Sequence, residues 1–160
     1  MPENSPPTQV LYRVDGRDWK PGDVITSPGD HLSTLQATIK AAELQLRAVS
    51  AGKDQIRSRS LYAFSDRTWA QKYFLGKKGF LYELEVDGRD IRHSADMMIV
   101  NDIAATQDAA VITALIQQYW NGDDRGNDRV EVLVAKATVR QCLLGPADKV
   151  RLKQTLYGNP

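Results

Sequence analysis

The sequence contains little of what several common protein classes require. Cys142 is the single cysteine in 160 residues, so no internal disulfide and no cysteine-rich metal cluster can form. The two histidines, His31 and His93, stand far apart and form no metal-binding pair of the His-x-x-x-His kind. No apolar run approaches the roughly 18 residues of a membrane-spanning helix. We therefore expect no metal and no membrane association, and we expect Cys142 to be a small buried apolar residue.

Sequence signatures of several enzyme classes are also missing. The chain has no Gly-x-x-x-x-Gly-Lys-Ser/Thr loop, no Gly-x-Gly-x-x-Gly turn and no Gly-x-Ser-x-Gly elbow. Its 21 basic and 20 acidic residues give a net charge of +1, which supplies no general argument for a nucleic-acid binder. The first residues are polar and proline-rich and lack the features of a secretory signal. We expect a flexible tail over 1–9, one domain over 10–160, and a soluble protein that is cytoplasmic or delivered into a target cell.

Hydrophobic periodicity divides the chain into mixed helices and strands. The apolar spacing predicts long helices over 31–50 and 106–120, and a shorter helix that begins after Ser65 or Asp66 and ends at Gly76. β-Prone runs predict strands over 10–14, 60–64, 80–86, 130–134 and 138–144. We expect the last two strands to pair with each other or to be one strand kinked near Lys136. Because the elements do not alternate as β-α-β units, the pattern favours a single α+β domain.

Two charged residues interrupt strands that are otherwise apolar. Arg13 lies within the run Leu11–Val14, and Glu131 lies within Val130–Val134. Each fits a solvent-facing strand position. Each also fits a site, because an arginine fork holds phosphate or ribose groups and a carboxylate stabilises a developing positive charge.

The first of these strands resembles a known family. The segment Val10–Ile25 is similar to the opening strand of the cholera- and pertussis-type mono-ADP-ribosyltransferase toxins, which carry an apolar-aromatic-Arg-x-Asp-x-Arg stretch followed by proline. Arg13, Asp15 and Arg17 match that pattern. The family's first arginine contacts NAD, so the resemblance implies that role for Arg13.

A second segment, 60–74, resembles the family's Ser-Thr-Ser strand and the helix after it. The triplet here reads Ala63-Phe64-Ser65, so Ser65 matches the last position and alanine stands where the family has its first serine. In the family that serine orients the catalytic glutamate.

A third segment, Arg129–Val134, resembles the family's Glu/Gln-x-Glu strand. Glu131 takes the place of the catalytic glutamate, and Arg129 stands where the family has a residue that helps to select the acceptor. A literal Glu-x-Glu at Glu83 and Glu85 falls in an earlier strand, where a solvated strand face is the favoured interpretation.

The resemblance covers about residues 10–140 and implies a fold of two small packed β-sheets flanked by helices, with NAD bound between them as a substrate. It places Arg13, Ser65 and Glu131 in the catalytic site and Arg13, Asp15, Ser65 and Tyr73 around NAD. Stacking of Tyr73 or Trp69 on nicotinamide competes with a role for both rings in the helix core, and the core role is favoured.

The implied activity is transfer of ADP-ribose from NAD to a macromolecule, as in a toxin or effector. A protein target is the first expectation and a nucleic-acid target the second, with an inhibitory or delivery partner in addition. Two alternatives stay open. One is an interaction module with a degenerate site, favoured by Ala63 and Arg129, and the other is an NAD glycohydrolase that uses water as acceptor.

Overall fold

The structure, a computed structural model, describes residues 7–158, and within them the chain forms seven strands and six α-helices. The strands are β1 (Thr8–Asp15), β2 (Val24–Ile25), β3 (Leu61–Phe64), β4 (Phe80–Asp87), β5 (Ile91–Asp96), β6 (Val130–Val134) and β7 (Ala137–Leu144). The helices are α1 (Ala37–Arg47), α2 (Ala51–Arg59), α3 (Arg67–Leu75), α4 (Met98–Ala104), α5 (Ala109–Trp120) and α6 (Lys149–Tyr157).

All seven strands belong to one antiparallel sheet in the order β2-β7-β4-β1-β3-β6-β5. The expectation of two separate packed sheets was therefore wrong. The sheet nevertheless has two halves, because β1 pairs with β4 along its whole length but meets β3 only at Tyr12 and Phe64. Strands joined at one residue pair can diverge on either side of it, and this is where the candidate site lies.

Three apolar clusters hold the domain together. One lies between the strands and includes Leu11, Leu84 and Val139; a second joins α1, α4 and α5; the third packs α3 and α6 against the sheet. The predicted strand over 80–86 is confirmed as part of β4, in which Tyr82, Leu84 and Val86 are completely buried.

The first long helix is shorter than predicted. Residues 32–34 form a 3-10 turn, and the extended backbone of Leu35 and Gln36 delays the start of α1 until Ala37. Ser50 is also extended, and its side chain accepts a hydrogen bond from the amide of Lys53, which begins the unpredicted helix α2.

The two later predicted helices are confirmed. Asp66 caps α3 by accepting from the amide of Trp69 at 2.7 Å, and Gly76 ends it. The second long helix begins at Ala109 rather than 106, because the carboxylate of Asp108 accepts from the first amides of the helix.

The last strands are confirmed, but their pairing is not. β6 lies between β3 and β5, whereas β7 lies between β4 and β2, so the two strands do not pair with each other. β5, α4 and α6 were not predicted.

Three smaller expectations remain. Cys142 is exposed, as are its neighbours Arg140 and Gln141 in β7, so its predicted burial was wrong. β1 begins at Thr8, inside the tail expected over 1–9, and residues 1–6 of that tail lie outside the described residues. In the described part of the chain, no helix has the length and apolar content needed to cross a membrane.

Candidate functional site

A cavity of about 380 Å³ opens where β1 and β3 diverge. Its floor comes from β1, β3 and β6, one wall comes from the segment 27–35, and the end of α3 forms another wall. The polar and aromatic side chains that line the cavity include Arg13, His31, Arg57, Ser60, Tyr62, Phe64, Tyr73, Lys77 and Glu131.

Glu131 is held at the bottom of this cavity and is only 6% exposed. Its Oε1 atom accepts from Nη1 of Arg57 at 2.7 Å and from the hydroxyl of Tyr119 at 2.8 Å. Within residues 7–158 its Oε2 atom has no protein hydrogen-bond donor. One oxygen is thus fixed from behind, and the other is available to a ligand.

The support behind Glu131 continues as a series of ion pairs that is buried except at its outer end, where Asp30 is exposed. Arg57 donates to both oxygens of Glu43, with its Nε atom 3.0 Å from Oε1. Arg47 donates to Glu43 at 2.9 Å and makes a two-point contact with Asp30 at 2.8 and 2.9 Å. The chain therefore connects Glu131 to the segment that forms the cavity wall.

The charged groups in this series of ion pairs stabilise one another. Burial opposes ionisation of Glu43, but the adjacent Arg57 outweighs it and lowers the pKa of that carboxyl group. Although burial opposes the charge of Arg57 as well, Glu131 and Glu43 raise the pKa of its guanidinium well above the ordinary value. The hydrogen bonds from Arg47 lower the pKa of Asp30 to about 2.

Arg13 lies across the cavity on β1, and its side chain is 12% exposed. Its Nη1 atom donates to the carbonyl of Tyr62 at 2.6 Å, and its Nε atom donates to Asp15 at 2.8 Å. The contact with Tyr62 bridges the two strands beyond their single paired position. Two donors fix the plane of the guanidinium, and Nη2 has no protein acceptor among the described residues.

Asp15 lies beside Arg13 but does not line the cavity. It is 5% exposed and accepts from Arg13 and, at three donor atoms, from Arg17. Burial alone would raise the pKa of Asp15, and the hydrogen bonds from both arginines lower it well below the ordinary value. In the structure Asp15 fixes Arg13 rather than facing a ligand.

Aromatic side chains form the apolar surface of the cavity. Phe64 and Tyr73 pack with their ring centres 4.8 Å apart, and the rings of His31 and Tyr62 meet at a steep angle with their centres 4.9 Å apart. Tyr62 donates its hydroxyl to the carbonyl of Arg57 at 2.5 Å. A ligand with a flat ring can therefore pack against these aromatic side chains in the space between Arg13 and Glu131.

The structure brings together three of the six predicted site residues: Arg13, Tyr73 and Glu131 line the same cavity. Ser65 follows β3, is exposed and does not line the cavity. Ser60, immediately before β3, is 2% exposed and lines it.

Arg129 lines a neighbouring groove of about 440 Å³ together with Asp66, Trp69 and Lys72. Trp69 packs into the core and donates its ring nitrogen to the sulfur of Met97, 3.2 Å away, so the favoured core role is observed for it.

Sequence reasoning missed the residues that support Glu131. The spacing of Glu43 and Arg47 by four residues is a recognisable helical ion-pair signal. Arg57 and Tyr119 carried no comparable signal, since one lies in an unpredicted helix and the other was assigned to an apolar helix face.

The arrangement combines a fixed guanidinium, a carboxylate with one available oxygen, and aromatic walls. It suits a ligand that has an anionic group, hydroxyl groups and a flat ring. Neither a protein-family model nor a curated protein sequence matches the chain.

Proposed function

We propose that the protein is a mono-ADP-ribosyltransferase that transfers ADP-ribose from NAD to a macromolecular target and releases nicotinamide. The observation that carries the proposal is the meeting of Arg13 and Glu131 in one cavity. The family resemblance assigns a role to each of these residues, although they lie far apart in the sequence. β3 lies between their strands, β1 and β6, so both residues can reach one ligand. We assign the split seven-stranded sheet to the fold of that family.

NAD has the groups that this cavity suits. Its phosphates or the nicotinamide ribose would take the available donor of Arg13, and a ribose hydroxyl would donate to Oε2 of Glu131. The nicotinamide ring would lie near Phe64 and Tyr73. Two of the predicted NAD-binding residues need a different assignment. Asp15 acts on NAD only through Arg13, and Ser65 is replaced by Ser60, which lines the cavity and is better placed to approach the ribose.

The chemistry requires a carboxylate next to the anomeric carbon of the nicotinamide ribose. As the bond from that carbon to nicotinamide breaks, its electron pair leaves with the nicotinamide nitrogen and positive charge develops on the ribose. Glu131 stabilises this charge through its fixed position, which favours the transition state over the bound substrate. A nucleophile of the target then bonds to the anomeric carbon and loses its proton to solvent.

The alanine at position 63 does not deprive Glu131 of support. Ala63 is completely buried and pairs with Val132, so this side of the strand is apolar. Arg57 and Tyr119 fix the carboxylate from the opposite side, and we assign them the orienting role that the first serine has in the family. This support favours an active enzyme over a degenerate interaction module.

Arg129 is the proposed contact to the acceptor. It lies two positions before Glu131, as in the family's motif, and faces the groove with Trp69 and Lys72. A target held in this groove is next to the strand that carries the catalytic carboxylate.

The test is incubation of the purified protein with NAD labelled separately in the ADP-ribose and nicotinamide parts, alone and with cell lysate. A transferase yields both label on a macromolecule and free nicotinamide, and Glu131→Gln abolishes both. Nicotinamide release without transfer in either sample indicates the glycohydrolase alternative. NAD binding without either product, or no binding, contradicts the proposed enzyme and leaves an interaction module.

A further inference from the structure

The basic residues of this nearly neutral protein are unevenly distributed. Seven of the 21 lie in the segments 67–78 and 149–158, which contain no acidic residue, so the rest of the chain holds 14 basic and all 20 acidic residues. These segments form α3 with the turn after it, and α6, and the two helices pack against each other. The seven are Arg67, Lys72, Lys77, Lys78, Lys149, Arg151 and Lys153.

This concentration of charge is not neutralised within the described chain. Among residues 7–158, every ion pair involves other basic residues. Three lysines, Lys72, Lys149 and Lys153, line a groove of about 440 Å³ between α3 and α6, which we call the lysine groove. Like charges brought together without acids repel one another, so the groove favours an anionic partner.

The groove also contains apolar surface that a purely ionic contact would not need. Tyr157 is 61% exposed and Val150 is 73% exposed, and both line the groove. The ammonium of Lys72 lies 6.0 Å from the centre of the Tyr157 ring. An exposed aromatic ring beside lysines matches how proteins bind single-stranded nucleic acid, with bases stacked on rings and phosphates next to cations.

We propose that the lysine groove binds single-stranded nucleic acid. An anionic membrane surface is the competing partner for a basic helix. A membrane-binding helix presents a continuous apolar face to the lipid, whereas the large exposed apolar side chains at this groove are only Val150 and Tyr157. The binding proposal does not depend on the transferase activity.

The groove is placed close to the candidate active site. α3 carries Lys72 on the groove and Tyr73 on the cavity, and the ammonium of Lys149 donates to the carbonyl of Lys77, which also lines the cavity. Lys72 further borders the groove that contains Arg129. A bound strand would therefore pass beside the cavity.

The experiment measures fluorescence anisotropy of labelled oligo(dT) and oligo(U), about 12 nucleotides long, without NAD. Binding is expected in about 50 mM salt and should weaken steeply as salt increases. In the double variant Lys72→Glu/Lys153→Glu we expect at least roughly tenfold weaker binding and a salt-dependence slope smaller by about 1.4, for two lost phosphate contacts. Tyr157→Ala should weaken binding roughly tenfold with little change in that slope.

The matched control is Lys40→Glu/Arg59→Glu, which changes the net charge equally at exposed positions outside the groove. It should alter affinity by no more than about twofold. Equal weakening in the control would overturn the proposal in favour of diffuse charge. Absence of oligonucleotide binding, with or without binding to phosphatidylserine vesicles, would also overturn it.

Discussion

The hydroxyl of Tyr119 donates to Oε1 of Glu131 over 2.8 Å, and the same oxygen receives Nη1 of Arg57. Both donors come from helices behind the sheet, and both leave Oε2 without a protein donor in the described chain. The carboxylate is thus oriented before any ligand arrives, which reduces the reorganisation needed during reaction.

Tyr119→Phe tests this orienting role. It removes the hydroxyl that donates to Glu131 and accepts from Nη1 of Arg57, but it keeps the ring in the core. We therefore expect kcat for nicotinamide release to fall about tenfold with KM nearly unchanged. The free energy of unfolding should fall by about 1 kcal/mol.

Tyr82→Phe is the matched control for that variant. The hydroxyl of Tyr82 is also engaged, with the amide of Trp19 and the carbonyl of Arg17, but it lies outside the cavity. A similar loss of stability with full activity is expected. Equal kcat values for the two variants would mean that Tyr119 is only structural.

Glu131→Gln should reduce the rate of nicotinamide release by at least roughly 100-fold, because an amide cannot stabilise the developing charge as a carboxylate does. The variant also leaves the buried Arg57 with a neutral partner, so loss of stability is expected. Thermal unfolding measured alongside activity separates the two effects. A folded Gln variant with native activity would exclude Glu131 from catalysis.

Arg13→Lys should weaken NAD binding by about tenfold in calorimetry, because lysine cannot reproduce the planar fork that contacts Tyr62, Asp15 and a ligand. Arg17→Lys serves as the control, since Arg17 shares Asp15 but does not line the cavity. Its NAD affinity should stay native, and an equal effect in both variants would contradict ligand contact by Arg13.

Arg57→Leu should destabilise the protein by about 3–5 kcal/mol in urea unfolding, because it leaves Glu43 and Glu131 buried without their shared cation. Arg59→Leu, two residues on and exposed, should change stability by about 0.5 kcal/mol or less. If both variants have the same urea midpoint as the native protein, the ion pairs of Arg57 do not contribute to stability.

Stability should also depend on pH near neutrality. Burial lowers the pKa of His31 and of His93 below the ordinary 6.5, which both regain on unfolding. The unfolded chain then binds more protons, so the free energy of unfolding is highest above about pH 6.5 and decreases as the pH falls through it. Urea midpoints at about pH 7.5 and 5.5 measure this decrease, and His93→Gln should make it smaller. An unchanged decrease in that variant would exclude His93 as a source.

Elements with a clear apolar period were predictable, and the residues behind the site were not. β3 and β4 follow their patterns because their buried residues are apolar, and α5 packs Ile112, Leu115 and Ile116 against an apolar cluster. In α2, by contrast, the one fully buried residue is Arg57, so apolar periodicity gives no sign of the helix.

The site was predictable only where a short motif carried it. Arg13 and Glu131 were named from local patterns, and the structure places both in one cavity. Ser65 was chosen by motif alignment, yet the path of β3 leaves it exposed and buries Ser60 instead. The contact between Tyr119 and Glu131 depends on how α5 packs onto the sheet, and a local sequence pattern does not predict such packing.

The wall formed by 27–35 differs from the rest of the cavity in how it is held. It contributes no strand to the sheet, and Asp30 anchors it through side-chain contacts with Arg47. Substitutions elsewhere in this wall would change which ligand fits without altering the strands that carry Arg13 and Glu131. If the proposed reaction is correct, ligand preference is therefore expected to vary with this segment independently of the residues that carry the chemistry.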